Sequence, residues 1–191
     1  MGGDAGNQKG DGLLVALKAT IFKAELQVSD LDRGYFATHA LTLARHPSET
    51  DERMMVRLLA FALNADEALE FGRGLSSEDE ADLVLRDLTG AIELWIDVGL
   101  PDERELRKAC GRARRVKVYA YGGRAAQLWR AQNREGLERL ANLDVVELPA
   151  ELTGELASWA GRGMRLEATI QDGHVWLHCG DRQAELSPAA A

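Results

Sequence analysis

Residues 91–121 read AIELWIDVGL PDERELRKAC GRARRVKVYA Y, and hydrophobic periodicity switches twice within them. From 91 to 98 the chain alternates, which predicts a strand with Ile92, Leu94, Ile96 and Val98 on one face and Glu93, Trp95 and Asp97 on the other. Gly99-Leu100-Pro101-Asp102-Glu103 then places a proline at the first helical position, with acids behind it where the helix dipole favours them. Leu106, Ala109, Cys110 and Ala113 make the apolar stripe of that helix, and residues 116–121 return to a strand. A further helix over about 124–141 and a short strand over 145–148 complete a strand-helix-strand-helix-strand order, which calls for parallel connections.

Working outward, residues 17–28 and 35–44 alternate on either side of the turn Ser29-Asp30-Leu31-Asp32 and predict a strand pair. A helix start follows at Pro47-Ser48-Glu49-Thr50-Asp51, with Met54, Met55, Leu58, Leu59, Ala62 and Leu63 as its apolar stripe. Short strands are expected at 68–71 and 82–86, separated by an acidic, serine-bearing loop at 76–80. Near the end, Met164, Leu166, Ala168 and Ile170 alternate up to Asp172-Gly173, and Val175, Leu177 and Cys179 alternate after it, a strong hairpin signal. The expected architecture is a mixed α/β single domain over 15–185, with a central mixed sheet flanked by helices and hairpins at both ends. Residues 1–14 read as a flexible Gly/Asp/Asn-rich leader and 186–191 as a tail.

Composition narrows the class. A chain of 191 residues with 46% hydrophobic and 28% charged residues, 19 Gly and 4 Pro is globular, which excludes collagen, coiled coil and wholesale disorder. Cys110 and Cys179 form no C-x-x-C pair and build neither a disulfide framework nor a zinc site, so a cytoplasmic, reducing setting is expected. No apolar run approaches the ~20 residues that span a bilayer, so no membrane partner is expected. The net charge of −8 hides an asymmetry: residues 104–139 carry eleven Lys and Arg against three acids, a local +8 that leaves −16 on the other 155. Such a stretch suits a phosphate-facing surface that could take nucleic acid; the plainer reading is two helices with basic solvent faces.

Three acids are candidates for chemistry. The short turn after Asp87 brings that residue towards the start of the next strand, beside Glu93. Two carboxylates that close repel each other unless a hard divalent cation such as Mg²⁺ lies between them; the alternative is a pair of exposed edge acids. At about 100° per residue, Glu52 continues the line of Val56, Leu59 and Leu63 and points inward, while Arg53 and Arg57 fall on the outer face. Glu49 is adequately explained by the helix dipole and ranks below Glu52.

The run LTLARHPSETDERMMVRLLA at 41–60, IELWIDVGLPDER at 92–104, RAAQLW at 124–129 and ATIQDG at 168–173 resembles the YaeQ family of bacterial proteins, over nearly everything after residue 15. The resemblance implies a restriction-endonuclease-like fold, built on a variation of the PD-(D/E)XK nuclease core, with a generally uncharacterised biological role. The first functional reading that such a core allows is a divalent-metal-dependent phosphodiester hydrolase acting on nucleic acid, with Mg²⁺ or Mn²⁺ and no organic cofactor. Carried over, Asp87 stands at the motif's first Asp, Glu93 at its (D/E), and Glu52 at the acid supplied by the preceding helix. Arg86 stands where the Pro would be, and Trp95 where the Lys would orient water or steady phosphate charge. Lys117 and Arg124 are the cations expected to substitute, in preference to Lys108. The competing readings are a non-catalytic regulatory protein that binds nucleic acid or a protein partner, and an interaction protein with no nucleic-acid role.

Overall fold

The computed structural model describes residues 19–72 and 80–187. The leader at 1–14, residues 76–79 of the serine-bearing loop and the last four residues of the tail lie outside them.

The decisive segment folds as its periodicity predicts. Strand β5 (Ile92–Val98), helix α2 (Glu103–Arg112), β6 (Ala113–Ala120), α3 (Arg124–Glu138) and β7 (Leu143–Glu147) alternate, and both strand connections are parallel. Pro101 lies just outside α2, whose N-cap is Asp102: its side chain accepts from the Glu105 amide while Glu105 reaches back to the Asp102 amide. β3 (Leu69–Phe71) and β4 (Leu83–Arg86) complete this sheet antiparallel, in the order β3-β4-β5-β6-β7.

In place of one central sheet there are two. β1 (Thr20–Asp30) and β2 (Tyr35–Arg45) form the expected first hairpin. β8 (Gly163–Gln171) and β9 (His174–Cys179) form the expected last one around Asp172 and Gly173, whose φ values of 53° and 74° suit a type I′ turn. The two hairpins join through a parallel β1–β8 pairing from Lys23↔Gly163 to Asp30↔Ile170, and β10 (Arg182–Leu186) extends the far side. Asp32 fastens the turns together, accepting from the amides of Asp172 at 2.7 Å and Gly173 at 2.8 Å.

The main core lies between the sheets and includes α1 (Asp51–Leu63) and α4 (Ala150–Ser158). Every residue of α1 from Met54 to Ala62 is buried. Arg57, expected on an outer face, is therefore fully enclosed and paired with Glu49 at 2.9 Å. α2 and α3 cover the other face of the second sheet, over Trp95, Val116 and Val118.

Candidate functional site

Two details of the β4–β5 pair determine where polar groups meet. The register runs Leu83↔Ile96, Val84↔Trp95, Leu85↔Leu94 and then Arg86↔Ile92, so Glu93 is the extra residue of a bulge. The bulge turns Ile92 to the Trp95 side, beneath α2, while Leu94, Ile96 and Val98 face the inter-sheet core. Beyond the other end of the pair, Asp82 precedes β4 and Asp97 is the penultimate residue of β5, on neighbouring strand ends.

Asp82 is buried and fully engaged. Its two oxygens accept from Arg53 Nη2 at 2.7 and 2.9 Å, and one also accepts from the Val98 amide at 2.7 Å. Arg53 reaches from α1 to the buried Glu49 at 3.1 Å, and Glu49 is also held by Arg57. Among the described residues two carboxylates and two guanidiniums thus join in one network. Asp97 shares the crevice and has no cationic partner among the described residues. Burial pushes its carboxyl up to about 7, against a hydrogen bond from Trp95 Nε1 at 2.9 Å; the charges of Asp82 and Glu105 raise it further. Together with Glu80 these groups line a crevice of about 280 Å³ at the carboxyl end of β5, floored by Val98 to Pro101.

The acids expected to share a metal are not assembled. Asp87 is fully exposed and turned back on its own loop: one carboxylate oxygen accepts from the Thr89 amide at 2.8 Å, the Thr89 hydroxyl at 2.6 Å and the Ala91 amide at 3.0 Å, and these bonds hold its carboxyl below the usual range. Glu93 pairs with Arg114 at 3.3 Å on the outward bulge. Glu52 accepts from the Thr153 hydroxyl of α4 at 2.6 Å and lies close enough to Tyr121, beyond the carboxyl end of β6, for its charge to act there. Five residues of β5 separate Glu93 from that end, about 16 Å at ~3.3 Å per residue. Among the described residues no three His, Cys, Asp or Glu are placed to hold a metal ion.

The substitute cations are also elsewhere. Lys117 lies on the inter-sheet side of β6, since Val116 and Val118 beside it pack under α2 and α3; its amine is 3.9 Å from Asp144. Arg124 is exposed at the start of α3. Within the basic stretch, Arg107, Arg134 and Arg139 pair with acids one helical turn away on their own helices. Asp82 is not among the acids expected from the sequence, Glu49 ranks there below Glu52, and Arg53 is placed on the outer face of its helix. The available signal was the i, i+4 spacing of Glu49 and Arg53.

The comparisons agree with this architecture. The YaeQ family model, described as YaeQ protein, matches residues 15–188. The protein belongs to the YaeQ family. "Uncharacterized protein YaeQ" of Salmonella typhi is 51% identical over 176 residues, covering 92% of this chain and 97% of that protein, and its Escherichia coli K12 counterpart is 49% identical with the same coverage. The crystal structure of YaeQ protein from Xanthomonas axonopodis pv. citri matches with a TM-score of 0.85 and 54% identity, covering 88% of this chain and 96% of that one. The YaeQ structure from Pseudomonas syringae matches with a TM-score of 0.84 and 37% identity, covering 88% and 93%. No helix among the described residues is long and apolar enough to cross a membrane.

Proposed function

We propose that this protein is a non-catalytic member of the nuclease-like folds, binding nucleic acid through the α2–α3 face without metal-dependent hydrolysis. The order α1-β3-β4-β5-α2-β6, with acids at the adjoining ends of β4 and β5, supports the nuclease-like kinship. The observation that carries the non-catalytic reading is Arg53. Mg²⁺ or Mn²⁺ needs carboxylate lone pairs that are free and ionised. Asp82 spends its oxygens on Arg53 and the Val98 amide, Glu49 spends its own on Arg53 and Arg57, and burial keeps Asp97 protonated up to about pH 7. The donor set does not fit a divalent ion, because the guanidinium already neutralises it. If Asp82 and Asp97 take the acid roles, Gly99 stands two residues after Asp97, where a lysine would be needed, and supplies no side chain.

Nucleic acid is favoured over a protein partner because Arg104, Arg124 and Arg130 on the two neighbouring helices are exposed and make no ion pair among the described residues. Three neutralised phosphates give a slope of about −2.7 in log K against log salt. Fluorescence anisotropy with a labelled DNA duplex, repeated across salt concentrations, tests this. The expected slope flattens by about one unit in Arg130→Glu. Absence of binding at low salt overturns the proposal, and so does Mn²⁺-dependent cleavage of the duplex that disappears in Asp82→Asn.

A further inference from the structure

Lys117, misplaced for the nuclease role, faces a second cleft that none of the chemistry above uses. The cleft lies between the sheets, where the β1–β2 turn, the end of α1, β6, β7 and the last hairpin meet, and it encloses about 260 Å³. Its walls are largely apolar, from Leu63, Val146, Ile170, Val175 and Leu186.

Its polar groups are unbalanced. The two acids at its rim are already spent: Asp30 accepts from Arg33 through both the backbone amide, at 2.9 Å, and Nε, at 2.5 Å, while Asp32 accepts from the two turn amides of the last hairpin. Among the described residues the Lys117 ammonium has no hydrogen-bond acceptor, and Asp144 at 3.9 Å is 61% exposed. The buried Tyr119 hydroxyl accepts from Asn64 Nδ2 at 2.6 Å, which leaves its own proton to donate. Arg33 uses Nε on Asp30 and Nη1 on the Ala65 carbonyl at 3.1 Å, leaving Nη2 over. Donors therefore converge on an apolar cleft whose acceptors are occupied, and half-buried donors without acceptors are costly. What the cleft lacks is one acceptor group attached to an apolar body.

We propose that this inter-sheet cleft binds a small monocarboxylate with an apolar body, its carboxylate on Lys117 and its body against Leu63, Val146 and Ile170. A single ammonium matches a single carboxylate by a charge-assisted bond. A phosphate dianion would face Asp30 and Asp32 with too little positive charge to offset them. The site is separate from the Arg53 crevice, with which it shares no lining residue. Burial of Lys117, with Arg115 and Arg33 nearby, lowers its amine below the ordinary lysine range despite Asp144, and a bound carboxylate reverses that shift.

Calorimetric titration of the full chain with octanoate at pH 7 provides the test. Lys117→Met is expected to weaken binding about tenfold or more, while Lys117→Arg retains it. A second readout does not depend on a variant that folds: amine labelling followed by mass mapping across pH 7 to 10. Lys117 should label at lower pH than an ordinary lysine, and octanoate should shift its labelling towards higher pH. No heat with millimolar octanoate, equal affinity in Lys117→Met, displacement by equimolar inorganic phosphate, or a Lys117 labelling profile unmoved by octanoate would each overturn the proposal.

Discussion

Asp97→Asn should make this protein much more stable in mild alkali and only modestly more stable at pH 5. The Asp97 carboxyl titrates at about 7 in the folded chain against 3.8 when exposed, chiefly through burial. Between those two values the folded state binds more protons than the unfolded one, so stability falls as pH rises. The loss begins near pH 4 and is complete a little above pH 7. A difference of about 3 pH units corresponds to about 4 kcal/mol at ~1.4 kcal/mol per unit, incurred in full at pH 8.5. Asparagine carries no charge to desolvate and can still accept from Trp95 Nε1. The assay is urea unfolding of both proteins at pH 5 and pH 8.5, because subtracting one from the other at each pH cancels every other titrating group. The loss between pH 4 and 5 is already incurred at the lower pH, so the expected gap is about 2 to 3 kcal/mol wider at pH 8.5 than at pH 5, or roughly 4–12 °C in thermal midpoint for a chain of this size. A gap that does not change with pH would refute the argument that burial governs this carboxyl.

The same reasoning reaches the neighbouring groups. Burial, and then the charge of Asp97, pushes the Cys110 thiol up to about 11, so iodoacetamide at pH 8 should alkylate Cys110 slowly and Asp97→Asn should speed the reaction, as followed by peptide mass mapping. Glu49→Gln removes the carboxylate from the fully enclosed Arg57 and should cost about 3 kcal/mol or more in urea unfolding, the penalty of leaving a buried cation unpaired. Thr153→Val deletes the hydroxyl that donates to Glu52 between α4 and α1 and should cost about 1.5 kcal/mol by the same assay. Gly72→Ala would put its Cβ 2.0 Å from the Ala81 carbonyl oxygen, so the β3–β4 pair must shift, at more than about 1 kcal/mol, and the Asp97 titration followed by carbon NMR should move with it.

Local rules account for the strand-helix-strand-helix-strand middle and for the Asp172-Gly173 hairpin, since each rests on periodicity or turn chemistry within a few residues. α4 escaped the sequence reading: its nine residues carry only Leu152, Thr153 and Leu156 as a buried set, too short a run to show a period. Glu93 illustrates a different limit. Its strand alternates cleanly in sequence, but the inserted bulge residue breaks that alternation in space and reverses the side on which Ile92 lies. The burial of Glu49 is not legible because periodicity assigns its two partners, Arg53 and Arg57, to an outer face of the helix. α1 is covered on nearly all sides, and its arginines face inward to partners from other elements.

Composition, periodicity and four family motifs are enough by themselves to define a mixed α/β domain that resembles the YaeQ family. Tertiary structure alone decided that the first and last hairpins share a sheet, because β1 and β8 pair across about 140 residues of chain and no local pattern encodes such a partnership. It also decided the site. Whether a carboxylate binds a metal, caps a turn or neutralises an arginine depends on which groups other strands and helices bring within about 3 Å of it, and on how much water they leave there.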